Sequence, residues 1–274
     1  MLCEKIYLNE ENKDVVLKTY VTEEYVKGIK RDCMLILPGG GYNFCALHED
    51  EPVAKAFMYR GFNCFTLYYT VGERASLDVS LKDVSKAIAH IKRNADKYNI
   101  DPERVFVCGF SAGGHLAASI GTLWHRSIAA FEGMERGENR PAGMIISYGA
   151  CTLGEYSHEL SRRFVYGKDI LTEDEIEALS PDKNVDENTV PAFIWHTAND
   201  EVVHVGNALA MAEALMEKGI PSELHIYPFG WHGLSVCLDG VGFGSEDKSN
   251  IHVSGWVEQC AQWIRVIKGA DHAV

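Results

Sequence analysis

Three residue types that together can carry out acyl transfer stand far apart in this chain, each just past a short apolar run. Ser111 lies in Gly109-Phe110-Ser111-Ala112-Gly113, directly after Val105-Phe106-Val107-Cys108. Asp200 lies in His196-Thr197-Ala198-Asn199-Asp200-Glu201, directly after Ala192-Phe193-Ile194-Trp195. His232 lies in Pro228-Phe229-Gly230-Trp231-His232-Gly233, after the run at 223–227. A serine hydroxyl becomes a useful nucleophile when an imidazole takes its proton, and the imidazole needs a carboxylate to fix its tautomer. The pattern G-x-S-x-G is common by itself. Here it sits between a buried strand and a helix, the setting of a strained turn that lifts a serine Oγ out of a sheet. Gly109 and Gly113 leave room for that turn because neither carries a Cβ. A phosphate cradle would need a terminal Lys-Ser/Thr or a G-x-G-x-x-G, and neither is present.

A second glycine cluster, Pro38-Gly39-Gly40-Gly41-Tyr42, ends the run Cys33-Met34-Leu35-Ile36-Leu37. Consecutive glycines can turn N–H groups toward a developing alkoxide with no side chain in the way. Gly40, Gly41 and Ala112, the residue after the serine, are the expected oxyanion donors. Glu201 and Asp239 compete with Asp200 for the acid. Among the other histidines, His225 falls mid-strand, and His204 and His252 have weaker settings for a base. Tyr42 and Trp231 are expected to bind substrate through their rings, with Trp124, Tyr68 and Tyr69 as further aromatic candidates.

The elements that must position these residues follow from periodicity. Continuous apolar runs at 33–37, 63–69, 105–108, 143–148 and 192–195 suit strands buried on both faces, with further strands at 15–21 and 223–227. Apolar spacings of three and four predict a long amphipathic helix over 77–98, with other helices at 51–59, 115–123, 208–218 and 254–267. This alternation predicts a doubly wound α/β fold with a mostly parallel sheet. Residues 1–274 are read as one unit, with a polar, acidic insertion at 151–188 over the carboxyl edge of the sheet.

Composition narrows the partners. Lys+Arg 26 against Asp+Glu 39 gives a formal net charge of −13 over 274 residues. That balance disfavours phosphate backbones and anionic membrane surfaces, so neither nucleic acid nor membrane is an expected partner. A hydrophobic share of 46% with 24% charged residues excludes intrinsic disorder. The opening stretch MLCEKIYLNEENKD has no basic region leading into an apolar core, and a cytoplasmic location is expected. The eight cysteines are scattered without a C-x-x-C pair, which predicts free, mostly buried thiols. The eleven histidines lack metal spacing, so no metal and no cofactor are expected.

The motifs PGGGY (38–42), NIDPERVFVCGFSAGGHLAAS (99–119), SPDKNV (180–185), PAFIWHTANDEVV (191–203) and ELHIYPFGWHGLS (223–235) resemble the α/β-hydrolase family of esterases and lipases. The likeness is to small bacterial carbohydrate acetyl esterases of the xylan esterase-like kind. Many relatives carry His where this chain has Pro38, a change that leaves the backbone donors in place. The resemblance implies a serine carboxylesterase acting on short acetyl esters, with carbohydrates as the alcohols and a Ser-Asp-His triad working through an acyl-enzyme. The expected partner is a small-molecule ester, an acetylated sugar, with a homo-oligomer left open. An amide hydrolase on the same fold, such as an arylformamidase or small peptidase, is the alternative. A binding protein that kept the fold without its chemistry is a third reading.

Overall fold

The computed structural model describes residues 2–10, 12–244 and 246–270, so both ends of the expected 1–274 unit lie outside the described residues. The strands are Lys5–Tyr7 (β1), Val16–Tyr20 (β2), Arg31–Leu37 (β3), Asn63–Tyr68 (β4), Ile100–Phe110 (β5), Gly143–Ser147 (β6), Ala192–Thr197 (β7) and Ser222–Tyr227 (β8). They form an eight-stranded sheet in the order β1-β2-β4-β3-β5-β6-β7-β8. β1 and β2 are antiparallel to their neighbours, and every pairing from β4 across to β8 is parallel. Parallel strands need crossovers, supplied by the helices Glu51–Met58 (α1), Leu77–Arg93 (α2), Ala112–Leu123 (α3) and Gly206–Glu217 (α6). Trp256–Ala270 (α7) is the last described helix, and two short helices, Glu159–Tyr166 (α4) and Glu173–Leu179 (α5), lie within the 151–188 segment. The mostly parallel sheet covered by helices is the α/β-hydrolase architecture.

The pleat divides the core in two. Side chains alternate across a strand, so Cys33, Leu35 and Leu37 of β3 join one cluster and Met34 and Ile36 join the other. The first cluster takes in α2, α3 and α6 through residues such as Leu81, Ile88, Leu116 and Met211. The second takes in α1 and α7 through Val53, Phe57, Trp256 and Ile264. Each such large apolar side chain contributes on the order of 2 kcal/mol by leaving water. This double burial explains why the central strands read as unbroken apolar runs.

Boundaries differ from the sequence reading in instructive places. α2 stops at Arg93 instead of 98, because Asn94 ends it with a side-chain bond to His90 O at 2.8 Å and Asn99 turns with φ 48°. β5 begins at Ile100 and not at 105, because Ile100 pairs with Arg31 of β3 ahead of a register shift. β1 is a three-residue edge strand, too short for a periodic signal. α5 carries a capping box, with the Thr172 hydroxyl accepting from Glu175 N–H and the Glu175 carboxylate accepting from Thr172 N–H. All eight cysteines are free thiols, five of them buried. Among the described residues, no helix is long and apolar enough to cross a membrane, and no group of three or more His, Cys, Asp or Glu could hold a metal ion.

Candidate active site

Ser111 stands at the turn between β5 and α3, with φ 51° and ψ −115°. A residue with a side chain rarely takes this conformation, and it persists only where its surroundings over-determine it. The surroundings are two glycines. A Cβ on Gly109 would fall 1.9 Å from Gly113 O, and one on Gly113 would fall 2.0 Å from Leu37 O. Strand, turn and helix are therefore in backbone contact, and Ser111 is pushed to the carboxyl end of the sheet. Its N–H donates to Ser147 O at 2.9 Å, which fastens the turn to β6.

β7 and β8 are parallel neighbours, so the loops that leave them meet. His232 Nε2 lies 2.8 Å from Ser111 Oγ, and His232 Nδ1 lies 2.7 Å from Asp200 Oδ2. Three residues spread over 122 positions of sequence thus form one hydrogen-bonded chain. Asp200 Oδ1 also accepts the Val202 and Val203 N–H groups, each at 2.9 Å. Burial raises the Asp200 carboxyl, but the bonds from His196 and His232 and the Val203 N–H outweigh it, and the group sits well below the usual carboxylate range. An ionised Asp200 obliges Nδ1 of His232 to donate, which leaves Nε2 free to accept the Ser111 proton. The two loops are also tied directly, with Gly230 N–H donating to Asn199 Oδ1 at 2.9 Å.

The glycine loop lies over the Ser111 turn. A Cβ on Gly39 would fall 2.7 Å from Phe110 O and 3.0 Å from Ser111 Cβ. Gly40 and Gly41 have φ 122° and 61°, which only glycine adopts readily. Gly39 N–H is taken by Glu49 Oε2 at 2.6 Å. Among the described residues, no group accepts a hydrogen bond from the N–H of Gly40, Gly41 or Ala112. Ala112 N–H is the first of α3, where the free amides of a helix start already favour negative charge.

Tyr42 does not face a ligand as the sequence reading expected. It is wholly buried, with its hydroxyl 2.6 Å from His115 Nδ1 and its ring edge-on to Tyr69. The positive φ of 61° at Tyr42 turns its ring into the core, where it holds the glycine loop against α3. Tyr69 is likewise buried, its hydroxyl donating to Pro38 O at 2.7 Å. Arg140 stands over the Trp124 ring and Lys18 over the Tyr68 ring, so neither ring is a free platform. Trp231 does keep 60% of its surface exposed, beside His232. Phe44 and Phe243 are exposed too, Phe44 against Gly40 of the glycine loop and Phe243 against Gly233 of the His232 loop, and sequence reasoning missed them. An isolated aromatic in a loop gives no periodic signal.

Two buried histidines also escaped the sequence reading. His196 Nε2 donates to Val203 O at 2.8 Å and stands 3.4 Å from Asp200 Oδ2, backing the acid from below. His115, one turn past the nucleophile, bridges Tyr42 on one side and the Tyr166 hydroxyl of α4 at 3.1 Å on the other. Burial pushes the His115 imidazole down to about 4, so it stays neutral. The competitors have other roles: His225 pairs with Glu223 at 2.7 Å on β8, and the His204 ring stacks on Tyr156. Burial also lowers His158, helped by the charge of His232 and opposed by that of Asp200, which puts the 151–188 segment within electrostatic reach of the site. An open groove of about 620 Å³ is lined by Tyr156 and Ser157 of that segment and by Asn199, Val202 and His204.

Comparison with known proteins places this geometry. The chain is 42% identical over 216 residues to a Butyrivibrio fibrisolvens protein named endo-1,4-beta-xylanase B, a match covering 77% of this chain and 34% of that one. It is 28% identical over 229 residues to an acetylxylan esterase of Xylanibacter ruminicola, covering 81% and 44% respectively. The chain therefore spans between a third and a half of the length of these curated relatives. Among solved structures, an acetyl ester-xyloside bifunctional hydrolase from Caldicellulosiruptor lactoaceticus superposes with a TM-score of 0.82 at 31% identity, over 97% of this chain and 96% of that one. A Lactobacillus plantarum carboxylesterase shares the fold with a TM-score of 0.83 at 22% identity. The model of the BD-FAE family matches residues 20–215, a stretch that holds the glycine loop, Ser111 and Asp200. On that match and that fold, the chain belongs to the BD-FAE family of α/β-hydrolases.

Proposed function

We propose that the chain is a serine carboxylesterase that removes acetyl groups from carbohydrates. The observation that carries this reading is the continuous line from Ser111 Oγ through His232 to Asp200, at 2.8 and 2.7 Å. Ser111 attacks the ester carbonyl while His232 takes its proton, and His232 then gives that proton to the leaving alcohol. Asp200 holds the imidazole tautomer and stabilises the imidazolium. The Gly40, Gly41 and Ala112 N–H groups receive the oxyanion, an interaction worth about 3–4 kcal/mol per donor in comparable sites. Water attacks the acyl-enzyme by the same route in reverse.

The carbohydrate part rests on the named relatives and on Trp231, whose exposed ring beside His232 suits the apolar face of a sugar. The segment 151–188 serves as a short cap in a single catalytic unit. Eight free cysteines support a reducing compartment, the cytoplasm. The acidic balance favours neutral acetylated sugars over anionic substrates.

Turnover of p-nitrophenyl acetate, butyrate and octanoate, together with acetate release from acetylated xylo-oligosaccharides, tests the reading. Acetate is expected to be the best acyl group, with acetate released from the sugars. Best turnover on the octanoate, with no acetate released, would overturn the acetyl-sugar assignment. Fluorophosphonate labelling confined to Ser111 is expected, and labelling elsewhere would overturn the nucleophile.

A further inference from the structure

Glu49 is a buried carboxylate, 2% exposed, at the end of a short turn at 47–49 that leads from the glycine loop into α1. Its two oxygens hold different parts of the site. Oε2 accepts from Gly39 N–H at 2.6 Å, and Oε1 accepts from the Tyr148 hydroxyl at 2.7 Å. Tyr148 stands just past β6. Its hydroxyl also accepts the Ser235 N–H at 2.9 Å, and its ring lies edge-on to the His232 imidazole with centroids 5.0 Å apart. The Ser235 hydroxyl donates to His48 O at 2.5 Å, which brings the circuit back beside Glu49. The glycine loop, the end of β6 and the loop carrying His232 thus converge on one carboxylate.

Each of these three parts needs an outside hold. Three consecutive glycines have no side chains with which to fix their own peptide planes. Tyr148 and Ser235 have φ 40° and 54°, strained values for residues with side chains. A charged acceptor makes the stronger kind of hydrogen bond, and its burial is tolerable only when its oxygens are occupied. The planes that carry the Gly40 and Gly41 N–H groups are turned by backbone bonds, from Ala46 N–H to Gly39 O and from Asn43 N–H to Gly40 O, each at 3.0 Å, and Glu49 holds the plane ahead of them through Gly39 N–H. Gly39 itself lies against Ser111 Cβ.

We propose that Glu49 is a positioning residue for acyl transfer. Through Gly39 it anchors the start of the loop that presents the Gly40 and Gly41 N–H groups, and through Tyr148 and Ser235 it sets the place of His232. The proposal rests on the esterase reading above.

The test compares wild type with Glu49→Gln and Tyr148→Phe on p-nitrophenyl acetate, with kcat expressed per active site counted by fluorophosphonate titration. The inhibition constant of a trifluoromethyl ketone is measured alongside, because its adduct with Ser111 carries an oxyanion. A glutamine presents one acceptor where the carboxylate presented two. Glu49→Gln should therefore lower kcat per active site by about tenfold to a hundredfold, the scale of a small misplacement of reacting groups. KM should stay within about twofold, and the ketone should bind more weakly in step with kcat. Tyr148→Phe keeps the Gly39 anchor and should give a smaller fall in kcat. Wild-type kcat per active site and ketone affinity in both variants, whatever their yield or Tm, would overturn the proposal. If Glu49→Gln does not fold, Tyr148→Phe decides by the same two readings. A wild type that turns over no ester would overturn the esterase reading, whereas an active wild type matched by both variants would overturn this one alone.

Discussion

The turn at Ser111 follows β5 and the 151–188 segment follows β6, so both leave the carboxyl edge of the sheet, yet they are held in opposite ways. The turn is held by backbone against backbone, with no room for a single methyl group at Gly109 or Gly113. The segment is held by side chains, with Val165 and Val185 in the core, Tyr166 on His115 and Asn207 on Tyr156 O. It leaves Ile170 84% exposed and borders an open groove. Machinery that must hold atoms to fractions of an ångström is thus built from contacts that cannot relax. The region bordering the groove is built from contacts that can be exchanged one at a time.

Substitutions can break or sharpen that contrast. The largest effect belongs to Ser111→Ala, which should cut kcat by about 10⁵–10⁶ with the fold intact, and Asp200→Asn should cost about 10⁴. Both are measured as ester turnover at unchanged circular dichroism. Gly113→Ala places a Cβ 2.0 Å from Leu37 O and should destabilise the protein by about 3 kcal/mol or prevent folding, read by urea denaturation. Near-normal stability for this variant would show that the turn can relax, and the contrast would fail.

The polar link between the two regions should show in pH. His115 has its folded pKa pushed down from 6.5 to about 4, so protons bind the unfolded chain first. Its contribution to stability is full above pH about 6.5 and is lost as pH falls toward 4, on the order of 3 kcal/mol in all. His115→Gln should flatten that part of the stability profile. The smallest effect is expected in the segment itself. Thr172→Ala removes the cap of α5 and should cost about 1 kcal/mol or less, with acetate turnover unchanged.

Legibility in the sequence follows the same division. The central strands β3, β5, β6 and β7 were readable because burial on both faces enforces unbroken apolar runs. The Ser111 turn was readable because its sterics admit only glycine at Gly109 and Gly113. β1 and the end of α2 were not, since a three-residue strand has no period and a helix end is set by local bonds such as that of Asn94. Tyr42 was misassigned as a ligand-facing ring because an aromatic residue after three glycines looks the same whether its ring turns outward or inward. Glu49, Tyr148, His115 and His196 gave no signal, since a polar residue in an apolar setting has no motif until its partner is known.

The sequence by itself determined the covalent chemistry on offer: a serine in a glycine turn past a strand, an aspartate and a histidine past two later strands, and a run of three glycines past an earlier one. It did so because steric exclusion and strand burial act on residues close together in the chain. Only the tertiary structure decided which of these groups meet. Asp200 lies within 2.7 Å of His232 because β7 and β8 pair in parallel. Glu49 reaches Gly39 and Tyr148 because residues 10 and 99 positions away fold to the same point. Hydrogen bonds act over about 3 Å, whatever the separation along the chain, so the assembly of the site is a property of the sheet order and not of any segment of the sequence.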